Sequence, residues 1–126
     1  PGASGLAWRS IGPWRAGRSI AAVGHPAQPQ LYFMGATGGG IWRTTDGGAT
    51  WAPVADSFLR TSSVGALALA PSDANVVYAG TGERDIRGNI IPGDGLYKST
   101  DGGASWRPTG LAGSRHIARI AVHPAD

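Results

Sequence analysis

The sequence predicts an all-β fold, a partial β-propeller of about two and a quarter four-stranded antiparallel blades, with strands in the order D, ABCD, ABCD, A. Three observations predict it: an alternating apolar run that recurs ahead of a proline, a composition rich in turn formers, and two matching turn motifs at the same place in successive repeats.

The first element is the innermost strand of each blade. Ser19-Ile20-Ala21-Ala22-Val23-Gly24-His25-Pro26 recurs as Val64-Gly65-Ala66-Leu67-Ala68-Leu69-Ala70-Pro71 and as Ile117-Ala118-Arg119-Ile120-Ala121-Val122-His123-Pro124. The three prolines stand 45 and 53 residues apart, a spacing that suits one four-stranded blade. A second strand follows at Leu31–Gly35 and Val76–Gly80, and a third at Gly40–Thr44 and Gly95–Ser99. The fourth begins at Thr50-Trp51-Ala52-Pro53 and Ser105-Trp106-Arg107-Pro108, where an internal proline fits an outer edge strand with one side free of ladder bonds.

Ala7–Gly12 has the character of another fourth strand without its hairpin. The expected layout is one propeller segment over 1–126: an orphan outer strand and linker at 1–17, a first blade at 18–56, a second at 62–110, and the inner strand of a third at 116–124. Closed propellers take roughly 4 to 8 blades. Open blade faces are therefore expected at both ends, to be covered by further blades, a partner chain or copies of this one. The chain opens at Pro1 without a leader-like segment, which reads as a processed or fragmentary chain.

Between third and fourth strands lie Thr44-Thr45-Asp46-Gly47-Gly48-Ala49-Thr50-Trp51 and Ser99-Thr100-Asp101-Gly102-Gly103-Ala104-Ser105-Trp106, both of the form Ser/Thr-x-Asp-x-Gly-x-Ser/Thr-Trp. A short carboxylate can accept backbone N–H bonds across such a turn, the second glycine can take positive φ, and the tryptophan can pack between strands. Thr44, Asp46, Gly48, Thr50 and Trp51, with Ser99, Asp101, Gly103, Ser105 and Trp106, are thus expected to staple hairpins. Metal ligation is not expected, because each turn offers one carboxylate where calcium takes about 6 to 8 oxygens.

Composition narrows the functions. There is no cysteine, which excludes disulfides and thiolate metal sites. No apolar run approaches the roughly 20 residues of a spanning helix. The net charge is +3, but ten scattered arginines and one lysine form no dense basic run, which argues against a nucleic-acid partner. No cofactor is expected.

The two turns resemble the Asp-box, or BNR, repeat of sialidases, xyloglucan-cleaving glycosidases, sortilin-type VPS10 domains and photosystem II assembly factors. With Trp8–Pro13, Gly39–Thr45, Gly80–Glu83 and His116–Pro124, nearly the whole chain resembles the N-terminal blades of bacterial sortilin-like proteins often labelled glycosyl hydrolase. The resemblance implies a propeller, turns on the outer rim, and a secreted or periplasmic location. It also implies, from xyloglucan-cleaving relatives, an aspartate just before the Gly-Gly that starts the third strand; alignment on Gly39–Arg43 puts Thr37 there, which removes that acid or base from this blade.

Glycoside hydrolysis needs two carboxyl groups about 5 to 9.5 Å apart. Outside the two turns, Glu83, Asp85 and Asp94 form the one acidic cluster, in an insertion of the second repeat running from Glu83 to Asp94. Its Glu83, Arg84, Asp85, Arg87 and Asn89, beside an exposed-looking Ile86, Ile90 and Ile91, suit a protein or carbohydrate contact, and equally a solvated loop with internal ion pairs. Trp14, Arg15 and Arg18 ahead of the first inner strand could offer an aromatic and guanidinium surface. His25 and His123 share a repeat position and read as strand-end residues.

The leading expectation is a non-catalytic protein-binding or structural segment, part of a larger sortilin-like propeller or an extrinsic subunit of an exported or membrane-associated assembly. It would meet protein partners at blade edges or through the 83–94 loop. Two alternatives stay open: part of an Asp-box glycoside hydrolase completed by other blades, and an accessory subunit of a photosynthetic or other membrane complex.

Overall fold

The computed structural model of the chain describes residues 17–85 and 87–125. The expected strand at Ala7–Gly12, and with it Trp14, Arg15 and Ile86, lies outside the described residues.

Eight strands form two sheets. The first contains β1 (Arg18–His25), β2 (Gln28–Thr37), β3 (Gly40–Thr44) and β4 (Ala52–Pro53); the second contains β5 (Val64–Ala70), β6 (Asp73–Thr81), β7 (Leu96–Ser99) and β8 (Arg107–Gly110). Each is an antiparallel meander in chain order, with connections rich in Gly and Pro that are short except for the 82–95 loop between β6 and β7. Pro53 and Pro108 sit in β4 and β8, at the sheet edge, where a missing N–H leaves no gap in an interior ladder.

The register repeats as well as the order. Phe33 lies opposite Arg43 in the first sheet, and Tyr78 opposite Lys98 in the second. β1 and β5 each slip register near their start and again before the turn into the next strand. At the end of β1 the His25 ring accepts the Ala27 N–H at Nδ1 (3.2 Å), and His123 does the same for Ala125, so these two histidines close His-Pro-Ala turns.

The core lies between the sheets. Phe33 and Ile41 from the first pack with Val64, Leu69, Val77, Ala79, Tyr97 and Trp106 from the second. Each large apolar side chain buried here contributes about 1.5–3 kcal/mol. Close approach depends on glycine: a Cβ on Gly35 would stand 2.8 Å from Val64 Cγ1, and one on Gly80 would stand 2.4 Å from Ile117 Cγ2. Ile117 thus holds the same place over the second sheet that Val64 holds over the first.

Residues 116–124, expected as an inner strand, form no strand ladder among the described residues. The Ile117 N–H donates to Thr81 O at 3.1 Å, and the residue packs close to both Gly65 and Gly80. A ladder needs a neighbour, and among the described residues no strand pairs with this segment.

Candidate functional site

Each of the two turns that join third and fourth strands is held by a set of hydrogen bonds among its own residues. The Thr44 hydroxyl donates to Asp46 Oδ1 (2.7 Å) and accepts the Gly48 N–H (2.9 Å). Asp46 then accepts the Thr50 N–H at Oδ1 (2.9 Å) and the Thr50 hydroxyl at Oδ2 (2.5 Å). Ser99, Asp101, Gly103 and Ser105 repeat the pattern. These donors favour the ionised carboxylate. The Ser105 side-chain bond foremost pulls Asp101 down to about 2, and the Thr50 side-chain bond likewise holds Asp46 well below the usual carboxylate range.

The second turn also reaches the first sheet. Arg43 Nη1 donates to Gly102 O (2.7 Å), Phe33 packs on Gly103, and the Trp106 indole N–H is shared between Gly103 O (3.1 Å) and Val54 O (3.0 Å). Trp106 is 6% exposed. In the first turn, Trp51 Nε1 donates to Gly48 O (3.2 Å), and the residue is 38% exposed.

A second cluster forms at the end of the sheets where β1 and β5 begin, the upper end. Glu83, the chain's single glutamate, has a side chain with no exposed surface. It receives Arg18, from the start of β1, and the Arg87 Nε–H at Oε1; Arg87 Nη2 reaches Oε2 at 3.0 Å, and the Ile91 N–H reaches it at 3.3 Å. Burial opposes ionisation, yet the Arg87 bond outweighs it and lowers the Glu83 pKa to about 2. Arg87 is correspondingly raised by its bond to Glu83.

The rest of the loop leans on the first sheet. Pro92 O accepts the Thr61 hydroxyl (3.1 Å), and Ile91 Cδ1 stands 3.7 Å from where a Gly38 side chain would begin. Ile91 is therefore half-buried, while Ile90 stays exposed. Arg84 and Asp85 make an exposed pair at 3.6 Å, and Asn89 accepts from Arg87 Nη1 (2.9 Å).

Asp94, immediately before Gly95 and β7, has a different setting. It is half-buried, accepts the Tyr97 hydroxyl at Oδ2 (2.7 Å), and is held by Thr81, whose Oγ1 accepts the Asp94 N–H (2.9 Å) and the Gly95 N–H (3.0 Å). Burial first, and the bond to Asp94 second, raise the Tyr97 pKa. Thr81, Tyr97, Arg43, Tyr78 and Lys98 fall within the repeated strands but carry no expected site role; the match of Tyr97 with Trp42 and of Lys98 with Arg43 in the aligned third strands is the signal that points to them.

A cleft of about 590 Å³ opens at the upper end, with Trp42, Asp56 and Arg60 in its wall. A smaller one of about 250 Å³ lies along the inner strands between Ile20, Leu67, Arg84 and Arg119. Among the described residues no three His, Asp or Glu side chains converge as a metal would require, and no helix is long and apolar enough to cross a membrane.

Two stacked meanders meeting through their inner strands have clear parallels among solved structures. An ancestral GH74 enzyme superposes with a TM-score of 0.63 at 25% identity, over 81% of this chain and 14% of that one. The fold is a partial β-propeller. The GH74 enzyme of Niastella koreensis matches over 75% of this chain at 21% identity (TM-score 0.57), and the GH74 xyloglucanase of Xanthomonas campestris over 67% at 23% (TM-score 0.52). This chain spans 14% of each of those two proteins as well. No family model and no curated protein matches it.

Proposed function

We propose that this chain is a non-catalytic, structural and protein-binding stretch of an Asp-box propeller of the sortilin-like kind. The observation that carries the reading is the burial of Glu83 under Arg18 and Arg87. One carboxylate of the acidic cluster is held ionised as a brace between two blades. A general acid for glycoside cleavage needs a raised pKa and access to the glycosidic oxygen, and Glu83 has neither. Asp46 and Asp101 are likewise engaged with their own turns. An exported location, secreted or periplasmic, belongs to the same proposal.

The GH74 neighbours favour a second reading, in which the segment lends one carboxylate to a hydrolase site completed by other blades. Asp94, half-buried beside Tyr97, is the candidate. Asp94→Asn in a propeller that carries the neighbouring blades, with new reducing ends from xyloglucan as the readout, separates the two. The structural reading expects the same release from the variant as from the unaltered protein. Release that Asp94→Asn abolishes while the fold stays intact would overturn it.

A further inference from the structure

Each turn between third and fourth strands contains an Asp-Gly bond, Asp46-Gly47 in the first and Asp101-Gly102 in the second. Such a bond is chemically labile. Glycine has no side chain to shield its amide nitrogen, which can attack Cγ of the preceding aspartate. The N–Cγ bond forms, the Cγ–OH bond breaks, and the hydroxyl leaves as water with the amide proton, closing a succinimide ring. Water then adds to the backbone carbonyl of the imide and breaks its bond to nitrogen, so that the main chain runs through the side chain as isoaspartate.

The folded turns restrain both partners of that attack. On the carboxylate side, Asp46 Oδ1 accepts the Thr44 hydroxyl (2.7 Å) and the Thr50 N–H (2.9 Å), and Oδ2 accepts the Thr50 hydroxyl (2.5 Å). Ser99 and Ser105 surround Asp101 in the same way. These donors favour the ionised group, from which oxygen is a poor leaving group.

The nucleophile is engaged as well. Gly47 donates its N–H to Gln30 O on β2 (3.0 Å), and Gly102 donates to Asn75 O on β6 (2.9 Å). An imide nitrogen carries no hydrogen, so ring closure forfeits that bond to the strand. Both aspartates are exposed, which leaves water at hand once a ring has formed. Every group involved belongs to a single repeat, Gln30 through Thr50 in one and Asn75 through Ser105 in the next.

We infer that Asp46-Gly47 and Asp101-Gly102 are latent isoaspartate sites, kept from closing by the hydroxyls of Thr50 and Ser105 and by the strand carbonyls of Gln30 and Asn75. The second hydroxyl of the motif thereby has a chemical duty beside its structural one. An isomerised turn would carry a free α-carboxylate and an added methylene in its main chain, which makes it a substrate for enzymes that methylate isoaspartyl carboxylates.

The test ages the full chain at neutral pH, folded or unfolded in guanidinium chloride, and counts isoaspartate at each bond by enzymatic transfer of a labelled methyl group and by peptide mapping. The unfolded chain is expected to isomerise at both bonds. Folded Thr50→Val should isomerise at 46–47 roughly 10-fold faster than the folded parent, the weight of one hydrogen bond to a charged group, with 101–102 unchanged. Ser105→Ala should reverse the pattern, and Thr50→Ser, which keeps the hydroxyl, should age like the parent.

Equal rates in the folded and unfolded parent would overturn the inference, as would Thr50→Val ageing no faster than Thr50→Ser. Acceleration of both bonds by either single variant would trace the effect to loosening of the whole fold and overturn it equally.

Discussion

Trp106 donates its indole N–H at 3.0 Å to the carbonyl of Val54, a residue of the neighbouring sheet, and so ties the two blades together at the rim. Its repeat counterpart, Trp51, spends its N–H within its own turn. The same residue type in the same motif thus does interior work in one copy and surface work in the other.

Trp106→Ala should accordingly cost about 3–5 kcal/mol in urea unfolding, the range for emptying a large aromatic site. Trp51→Ala should cost about 1 kcal/mol, an ordinary value for a partly exposed residue. Equal losses would mean that Trp106 does not join the sheets.

The two motif glycines should part in the same way. Gly48 and Gly103 have φ of 98° and 88°, so alanine is strained at both. At Gly103 the new Cβ would also stand 2.9 Å from Phe33 Cε1, whereas at Gly48, among the described residues, its nearest neighbours are Trp51 atoms at 3.8 and 3.9 Å. Gly103→Ala should therefore lower the urea midpoint distinctly more than Gly48→Ala. A smaller loss at Gly103 would contradict the packing of Phe33 on this turn.

Thr44 and Ser99 are nearly fully buried, and each hydroxyl takes the N–H of its motif glycine while steadying its aspartate. Thr44→Val and Ser99→Ala leave that N–H unpaired, part-buried at Gly48 and buried at Gly103, at a cost of about 1–3 kcal/mol each, the larger at Gly103. The turn amides of Gly48 and Gly103 should exchange faster in the corresponding variant. Unchanged exchange would show that the hydroxyls are not the acceptors that hold these turns.

Acid should weaken the fold over a defined window. Glu83 falls from an ordinary 4.5 to about 2 on folding, and Asp101 from 3.8 to about 2. Between these values the unfolded chain binds more protons than the folded one, so stability rises with pH there. The contribution is fully present above about pH 4.5 and is lost as pH falls toward about 2. Glu83→Gln should flatten this acid limb in a pH series of urea midpoints. A limb of unchanged slope would show that the Arg87 bond does not bias Glu83 toward its charged form.

Much of the architecture was legible because it is written locally. Proline in β4 and β8, the apolar alternation of β1 and β5, and the Asp-Gly-Gly turns each carry their conformational reason within a few residues. The cluster at the upper end was not legible in the same way. Glu83 stands in a polar loop and looks solvated; beside the local Arg87, its partner Arg18 lies far away in sequence, and the loop returns onto Thr61 and Gly38.

Arg43 posed a related difficulty, since a cation in a short strand suggests solvent, and its acceptor is a backbone carbonyl that no residue type announces. Residues 117–123 show the converse limit. Their sequence has the pattern of a strand, but a ladder belongs to two chains of atoms, and sequence describes one.

The contact between Arg43 and Gly102 has an evolutionary consequence. Donor and acceptor occupy different positions of a single repeat, so duplicating one stretch of gene copies a hand and a handle together. A newly added unit can then be held by the old one without any compensating substitution. At this contact, loss of the cation at any one unit would be felt by its successor rather than by itself.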